Sequence, residues 1–219
     1  MAIYSFSCTR SDILSETSRK LELFFQECRI KHTFLVGASS IFTAYSNAVN
    51  QPHIKDNDIV ILCHDDISIK SDRPEFLRYL AMAMKPNVGF IGVAGSKKLP
   101  EHGVWWNSPS MHLSGEVFHV KDGKKFKTHY GGCGKVEVMD GLFLAATKKT
   151  LMAVGLDRPE FLTENWDFYD IHYTYKANKL GYDNITVPIG VTHLSLGELA
   201  GRPQWFTNRK SFLESRMLY

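Results

Sequence analysis

Three groups of acidic and histidine residues in this sequence have the chemistry to bind a metal ion or to move a proton. The first group is His64, Asp65 and Asp66, directly after the hydrophobic residues 59–63. Adjacent carboxylates at a strand end repel one another and lose hydration, and a divalent cation would offset both costs. The same triplet also suits the polar end of a buried strand, because aspartate commonly caps turns and helices. Metal binding and a structural role therefore both remain open for this motif.

The second group is Asp167 and Asp170, with Glu164 just upstream. Residues 164–182 predict a helix, and both aspartates would then share one face near its start. The helix dipole favours ionised carboxylates there, as a general base requires. Simple stabilisation of the helix explains the same pattern, so a catalytic base is one of two interpretations.

The third group is a single histidine, His193, which follows an apolar strand and precedes a glycine-containing turn. It is a candidate metal ligand, although a histidine there also suits a surface or hydrogen-bonded position. The other eight histidines show no HExxH pairing. No group is decisive by itself. Their order is more informative: an acidic strand end, an acidic helix start, and a histidine after the last strand.

The elements that must position these groups alternate between strands and helices in the first half of the chain. Apolar periodicity, serine caps and a proline in a first turn support this pattern. Strands are predicted at 3–8, 32–37, 58–63 and 88–95, and helices at 11–29, 39–50 and 73–84. Such alternation predicts an α/β fold with a mostly parallel central sheet flanked by helices. Ligands bind beyond the carboxyl ends of strands in such sheets, where the His64 triplet lies.

The second half of the chain is less regular. Residues 96–135 are rich in glycine, aromatic and turn residues, which predicts short strands and loops, with residues 121–127 (KDGKKFK) as a solvated loop. A strand and a short helix are predicted within 137–155. The helix at 164–182 would stop at a glycine cap, and a final strand is predicted at 184–197.

The composition excludes several classes of protein. The 219 residues fit one large domain or two small ones, and 44% hydrophobic residues can bury a substantial core. A net charge of +3, from 26 basic and 23 acidic side chains, argues against a nucleic-acid partner. Four scattered cysteines without a CxxC pair predict free thiols in a reducing compartment. We expect a cytoplasmic location, because no signal-peptide pattern and no membrane-spanning apolar run is found.

Four segments together resemble the GT-A-fold nucleotide-sugar glycosyltransferases, in the family 2-like group that includes the StrF-type domain. They are GASSIFTAYSNAV (37–49), VILCHDDISI (60–69), VMDGLFLAATKKTL (138–151), and ENWDFYDIHYTYKANKLGY (164–182) followed by VPIGVTHLSLG (187–197). The second segment is similar to the group's strand that ends in a DxD motif. The last pair is similar to its acidic helix and its terminal His-x-Ser-x-Gly turn.

The resemblance implies a single GT-A (Rossmann-like) domain over residues 1–219. Residues 1–95 would form the nucleotide-binding half, and residues 96–219 the acceptor and catalytic half, with a smaller mixed or antiparallel portion. The implied reaction is inverting and metal-dependent. It moves a sugar from a nucleoside-diphosphate sugar, most commonly a UDP-sugar, to a hydroxyl of a carbohydrate or glycoconjugate acceptor. Mn²⁺ or Mg²⁺ would stabilise the negative charge that develops on the diphosphate.

The resemblance also implies roles for individual residues. Asp66 and His193 match metal ligands, and His64 is either a further ligand or a packing residue. Asp170 matches the catalytic base, with Asp167 as the alternative. Asp65 would hold the ribose or a metal-bound water. The residues expected to bind the rest of the donor are Thr9, Arg10, Gly37, Ser39, Ser40 and, at the donor sugar, Asp140. Three tryptophans could stack on sugars or belong to the core: Trp105, Trp106 and Trp166.

Two alternatives remain open, and departures from the family pattern support the first of them. His64 stands where many relatives have the first acid of DxD, and His172 stands where the helix often carries another acid. A nucleotide-sugar-binding module without transfer activity, within a larger enzyme, therefore remains an alternative. A nucleotidyltransferase shares the sheet and the metal, but residues 8–16 (CTRSDILSE) lack its usual glycine-rich, basic loop.

Overall fold

The computed structural model describes residues 1–121, 123–194 and 202–219. Within these ranges the chain forms thirteen strands and six α-helices. The strands are β1 (Ile3–Cys8), β2 (Lys31–Leu35), β3 (Ile59–Cys63), β4 (Ile67–Ile69), β5 (Val88–Gly92), β6 (Ala94–Ser96), β7 (Leu113–Lys121), β8 (Lys124–Gly131), β9 (Lys135–Val136), β10 (Val138–Met139), β11 (Phe143–Thr147), β12 (Asp183–Thr186) and β13 (Val191–His193). The α-helices are α1 (Glu16–Glu27), α2 (Ile41–Val49), α3 (Arg73–Leu80), α4 (Lys148–Val154), α5 (Tyr169–Lys179) and α6 (Pro203–Ser215).

The larger sheet has seven strands in the order β2-β1-β3-β11-β5-β12-β9. β11 is antiparallel to both of its neighbours, and β9 is antiparallel to β12, so the other five strands all run in one direction. The prediction of a mostly parallel central sheet is therefore confirmed. β3 is buried along its whole length, as its unbroken apolar sequence predicts.

The smaller sheet has six strands, in the order β10-β6-β7-β13-β4 with β8 paired to β7. Only the β13–β7 pair is parallel, so this sheet is the mixed portion predicted for the second half. The pairing of β4 with β13 matters for the site, because it joins the segment after β3 to the last strand of the chain.

The helices follow the predicted order, but two of them begin later than predicted. α1 starts at Glu16 because the Ser15 hydroxyl accepts a hydrogen bond from the Ser18 N–H at 3.0 Å. Ser11, the first residue of the predicted helix, instead forms a local turn with Ile13. The turn chemistry of Ser11 thus competes with the helix, and the first five residues of the predicted element, 11–15, lie outside α1.

α5 also begins late, at Tyr169, so the prediction that Asp167 lies on this helix is wrong. Residues 163–167 do not enter the helix, because their backbone groups bond to the side chain of Asn208. Phe168 follows in the left-handed region, with φ of 69°. For a non-glycine residue this conformation costs about 1–3 kcal/mol and requires support from its surroundings. Tertiary contacts override helix propensity at this point.

Three further segments differ from the prediction. The predicted strand at 88–95 divides between β5 and β6, which belong to different sheets. The predicted strand at 184–197 likewise divides into β12 and β13, with Pro188 between them. Its last residues, 195–197, lie outside the described residues. Residues 121–127 are largely strand rather than loop, because β7 and β8 form a long hairpin. Residues 124–127 are all exposed, so their sequence shows no alternation of apolar and polar residues.

The sequence interpretation assigned no element to α6. One face of this helix is buried and carries Trp205, Asn208 and Phe212. A polar residue in the middle of that face interrupts the apolar pattern that would have predicted it. Among the described residues, no helix combines the length and apolar character needed to cross a membrane. The four cysteines are free thiols.

Candidate active site

A cavity of about 640 Å³ opens beyond the carboxyl ends of β1 and β3. It lies in the size range typical of ligand pockets. Nine of the twelve residues predicted for the site line it: Thr9, Arg10, His64, Asp65, Asp66, Asp140, Asp167, Asp170 and His193. Ser39 lines an adjoining cavity of about 350 Å³, while Gly37 and Ser40 line neither of these two cavities. The three groups that the sequence separates therefore meet in one place.

His64, Asp66 and His193 form a cluster whose ligand atoms all lie within 4.8 Å of one another. One carboxylate oxygen of Asp66 lies 3.3 Å from Nε2 of His193, and the other lies 3.8 Å from Nδ1 of His64. Two ligands of one divalent cation stand about 3–4 Å apart when each is about 2.1 Å from the ion. The separations in the cluster fit that geometry.

The local fold explains why these residues meet. β3 ends at Cys63, and the chain then turns into β4, which is antiparallel to β13 with Ile67 opposite His193. The N–H of Leu194 donates to the Asp66 carbonyl at 3.1 Å. Strand pairing between distant parts of the sequence thus fixes the backbone on both sides of the cluster.

Charge and burial act differently on the two histidines. Burial lowers the pKa of His64, and the nearby His193 lowers it further, against the opposing charge of Asp66. Burial also acts to lower the pKa of His193, but its hydrogen bond and ion pair with Asp66 outweigh burial and raise it. Two imidazoles and one carboxylate are a mixed nitrogen and oxygen donor set, which fits Mn²⁺ at least as well as Mg²⁺.

A pair of aspartates, Asp140 and Asp170, forms the opposite part of the site. Asp140 lies in the turn between β10 and β11, where its backbone N–H donates to the Ala94 carbonyl at 3.0 Å. Asp170 lies in the first turn of α5 and accepts hydrogen bonds from the N–H groups of Gly141 at 2.8 Å and Ile171 at 2.9 Å. The backbone between these aspartates is therefore tied to the start of the helix.

Asp170 does not have the electrostatics that the helix dipole alone predicts. Burial and the charge of Asp140 raise the pKa of Asp170 to about 7, against the two backbone hydrogen bonds that lower it. The loss of hydration raises the pKa of Asp170 more than its position at the start of the helix lowers it. A carboxyl group with a pKa near neutrality is suited to exchange a proton with a substrate hydroxyl.

Asp167 has a different environment. It is 5% exposed, and its carboxylate accepts a hydrogen bond from the guanidinium of Arg202. Burial raises the pKa of Asp167, while Arg202 and Arg10 act to lower it. The Arg10 guanidinium stacks 4.5 Å from the ring centroid of Trp166. The carboxylate of Asp167 is thus engaged with a cation, and Asp170 has the geometry better suited to a base.

The strand ends on the nucleotide-binding side are joined by backbone hydrogen bonds. The Ala38 N–H donates to the Thr9 carbonyl at 3.2 Å, which links the segments after β1 and β2. Gly37 has φ of +60°, and a side chain there would meet Asp12 at 2.7 Å. The Ser40 hydroxyl caps α2 by accepting from the Thr43 N–H at 3.3 Å. These residues shape the turn, and their contact with a donor stays a prediction.

The tryptophans divide between the core and the cavity. Trp105 is 2% exposed and packs against Trp106 and Tyr130, so it belongs to the core. Trp106 and Trp166 line the cavity, as does Trp205 of α6, whose ring lies 5.7 Å from that of Trp106. An aromatic wall of this kind offers flat apolar faces to a ligand.

Sequence reasoning missed the contribution of the C-terminal segment. Arg202 and Trp205 both line the cavity, and neither was among the predicted site residues. Pro203, at the first turn of α6, was the available signal, because proline marks helix starts. Tyr169 was also missed. Its hydroxyl donates to the Gly141 carbonyl at 3.1 Å, beside the two aspartates.

Comparisons with known proteins agree with the resemblance noted in the sequence. A family model described as a glycosyltransferase-like family matches residues 15–211. No curated protein matches the sequence at a significant level. Among solved structures, A197 from STIV is similar with a TM-score of 0.52 and 14% identity, covering 86% of this chain and 82% of that one.

A second similar structure is that of GalNAc-T7 with UDP, GalNAc and Mn²⁺. Its TM-score is 0.57 at 12% identity, and the match covers 96% of this chain. The match spans 48% of the GalNAc-T7 chain, about half its length. At these identities the two structures support the fold alone, which resembles the GT-A fold.

Proposed function

Because this chain belongs to the glycosyltransferase-like family, we propose that its cavity transfers a sugar from a UDP-sugar to a hydroxyl of a carbohydrate or glycoconjugate acceptor. The observation that carries the proposal is the presence, in one cavity, of the His64–Asp66–His193 cluster and the aspartate Asp170. The cluster suits a cation that neutralises a diphosphate. The aspartate suits a base for a hydroxyl. The metal-dependent, inverting transfer that we propose uses both.

His64, Asp66 and His193 would hold the cation, which we propose to be Mn²⁺ or Mg²⁺. When bound, such a cation stabilises the negative charge that the leaving diphosphate gains. Asp65 lines the same cavity beside the cluster, and its carbonyl accepts from the Ser18 hydroxyl at 3.1 Å. This hydrogen bond ties the backbone of Asp65 to α1. The side chain of Asp65 would orient the ribose or a metal-bound water in the cavity.

Asp170 would accept the proton of the acceptor hydroxyl during direct displacement at the anomeric carbon. Such a displacement inverts the configuration of that carbon. The pKa of Asp170 is about 7, so near neutral pH this carboxyl group is partly ionised and can also hold a proton that it has accepted. Asp140 raises that pKa and would also contact the donor sugar. Trp106 and Trp166 would stack on the acceptor, since both line the cavity.

A panel of nucleotide sugars tests the proposal. Release of nucleoside diphosphate from each donor would be measured with Mn²⁺, with Mg²⁺ and with a chelator, in the presence of mixed oligosaccharide acceptors. We expect turnover of at least one UDP-sugar with a divalent cation, and a product of inverted anomeric configuration by NMR. Cation-dependent UDP binding without turnover of any donor would instead favour a binding module.

A further inference from the structure

We propose that Asn208 is a positioning residue for this active site: it fixes residues 163–167 and thereby places the start of α5 and Asp170. The inference rests on the proposed function, since Asp170 is the proposed base. Asn208 is fully buried on the inner face of α6, at 0% exposure, and it is distant in sequence from the loop that it contacts.

The Asn208 side chain uses its complete hydrogen-bonding capacity on this loop. Its carbonyl oxygen accepts from the N–H groups of Thr163 at 3.0 Å and Glu164 at 2.9 Å. Its amide group donates to the carbonyls of Glu164 at 3.0 Å and Asp167 at 2.7 Å. A carboxamide can accept two bonds and donate two, so every position is used. Neither a carboxylate nor a hydroxyl offers this combination.

These bonds replace the ones that a helix would have provided. The segment before α5 is not helical, and the Asn208 side chain pairs four of its backbone groups. Buried backbone groups without partners are costly, so the loop conformation depends on this one side chain. The carbonyl of Asn165 also accepts from the Ile41 N–H at 3.0 Å, which ties the loop to α2.

The same face of α6 also holds the residue that connects the loop to the helix. Phe168 has a left-handed backbone and lies with its ring 5.2 Å from that of Trp205 and 5.5 Å from that of Phe212. A strained residue persists only when its surroundings determine it fully. Since α5 begins at the next residue, α6 sets the position from which Asp170 enters the cavity.

The test compares Asn208→Ala with Asp58→Ala. Asp58 is the control, because it is also buried, at 6% exposure, and its side chain accepts from two backbone N–H groups, those of Ala2 at 2.6 Å and Lys55 at 2.8 Å. It precedes β3, at the end of the strand away from the cavity. We expect both variants to lose melting temperature. Only Asn208→Ala should also lose kcat, by about 100-fold, with KM for the donor changed by less than about 3-fold, because misplacement of a reacting group acts on the transition state.

An equal loss of kcat in the two variants, or no loss in Asn208→Ala, would overturn the inference. If Asn208→Ala does not fold, Asn208→Asp is the variant to compare. It keeps the acceptor bonds from Thr163 and Glu164 but turns an oxygen towards two carbonyls, and we expect a loss of kcat of about 10-fold or more.

Hydrogen exchange separates a failure of this inference from a failure of the proposed function. Exchange of the amides in residues 163–170, measured by mass spectrometry, should accelerate in Asn208→Ala and not in Asp58→Ala. This readout needs no turnover, so it still applies if the parent protein transfers no sugar. Unchanged exchange in Asn208→Ala would show that the side chain does not hold the loop.

Discussion

The two acidic regions of the cavity balance their negative charge in different ways. Asp66 lies between two imidazoles, with one carboxylate oxygen facing Nε2 of His193 and the other facing Nδ1 of His64. Asp170 faces another aspartate, and burial combined with that charge favours its protonated form. The first region is thus suited to a cation and the second to a proton. One cavity can therefore contain one carboxylate that is suited to bind a cation and another that is suited to bind a proton.

The largest effect should come from removing the proposed base. Asp170→Asn keeps the size of the side chain but cannot accept a proton, so we expect kcat to fall by roughly 1,000-fold. Metal-dependent binding of UDP should be retained, because the cluster is unchanged. Steady-state kinetics and calorimetry on the same preparation measure the two effects. A parallel loss of UDP binding would show that the two regions are not separate.

The second effect concerns the proposed metal site, the His64–Asp66–His193 cluster. Asp66→Ala should weaken the affinity for Mn²⁺ by at least about 100-fold, because the cluster loses the carboxylate that lies between its two histidines. Asp65→Ala is the control, since its side chain is adjacent in sequence but outside the cluster. We expect Asp65→Ala to weaken donor binding without changing Mn²⁺ affinity. Equal loss of metal affinity in both variants would contradict the assignment within the triplet.

The third prediction addresses the backbone that links the two aspartates. A methyl group on Gly141 would lie 2.2 Å from the Tyr169 hydroxyl and 2.9 Å from Cβ of Asp170. Gly141→Ala should therefore displace the start of α5 and reduce kcat by about 10-fold to 100-fold. Gly132→Ala is the matched control, because nothing lies within 4 Å of its added methyl. Comparable losses of kcat in both variants would rule out a specific role for Gly141.

The smallest effect is on stability, and its sign follows from the raised pKa. Between pH 4 and about 7, Asp170 holds a proton in the folded protein but not in the unfolded chain. Its contribution to stability therefore falls as pH rises through that window. We expect Asp170→Asn to raise the melting temperature by roughly 3–6 °C at pH 8 and by less at pH 5. If Asp170→Asn melts at a lower temperature than the parent protein at pH 8, the ionised carboxylate of Asp170 does not destabilise the fold.

The sequence predicts the His64–Asp66–His193 cluster better than the surroundings of Asp170. His64 and Asp66 follow β3 and His193 ends β13. Apolar runs in the sequence reveal these strands, and the pairing of strands brings their ends together. The environment of Asp170 depends on Asn208, which lies in a helix whose inner face carries a polar residue. No periodic pattern in the sequence predicts that contact. From the sequence, the helix dipole predicted an ionised Asp170. The sequence does not reveal how deeply this carboxyl group is buried, or that Asp140 is its neighbour.

Local turn chemistry explains most of the remaining differences. The boundaries of α1 and α5 were misplaced because Ser11 bonds within its own turn and Phe168 adopts a left-handed backbone. The first is a contact within the predicted helix, whereas Phe168 packs against α6, far away in the sequence. The order of the predicted strands and helices in the first half, in contrast, was confirmed, since their apolar runs are long and regular. The exceptions are β4, which was not predicted, and the strand at 88–95, which divides between the two sheets.

Calorimetric titration of UDP into the parent protein, with Mn²⁺ and with a chelator, tests the central claim most directly. The account predicts that UDP binds when Mn²⁺ is present and that its affinity falls by at least about 100-fold when Mn²⁺ is removed. Equal affinity for UDP in the two conditions would contradict the assignment of the cluster as the site of a cation that holds the diphosphate.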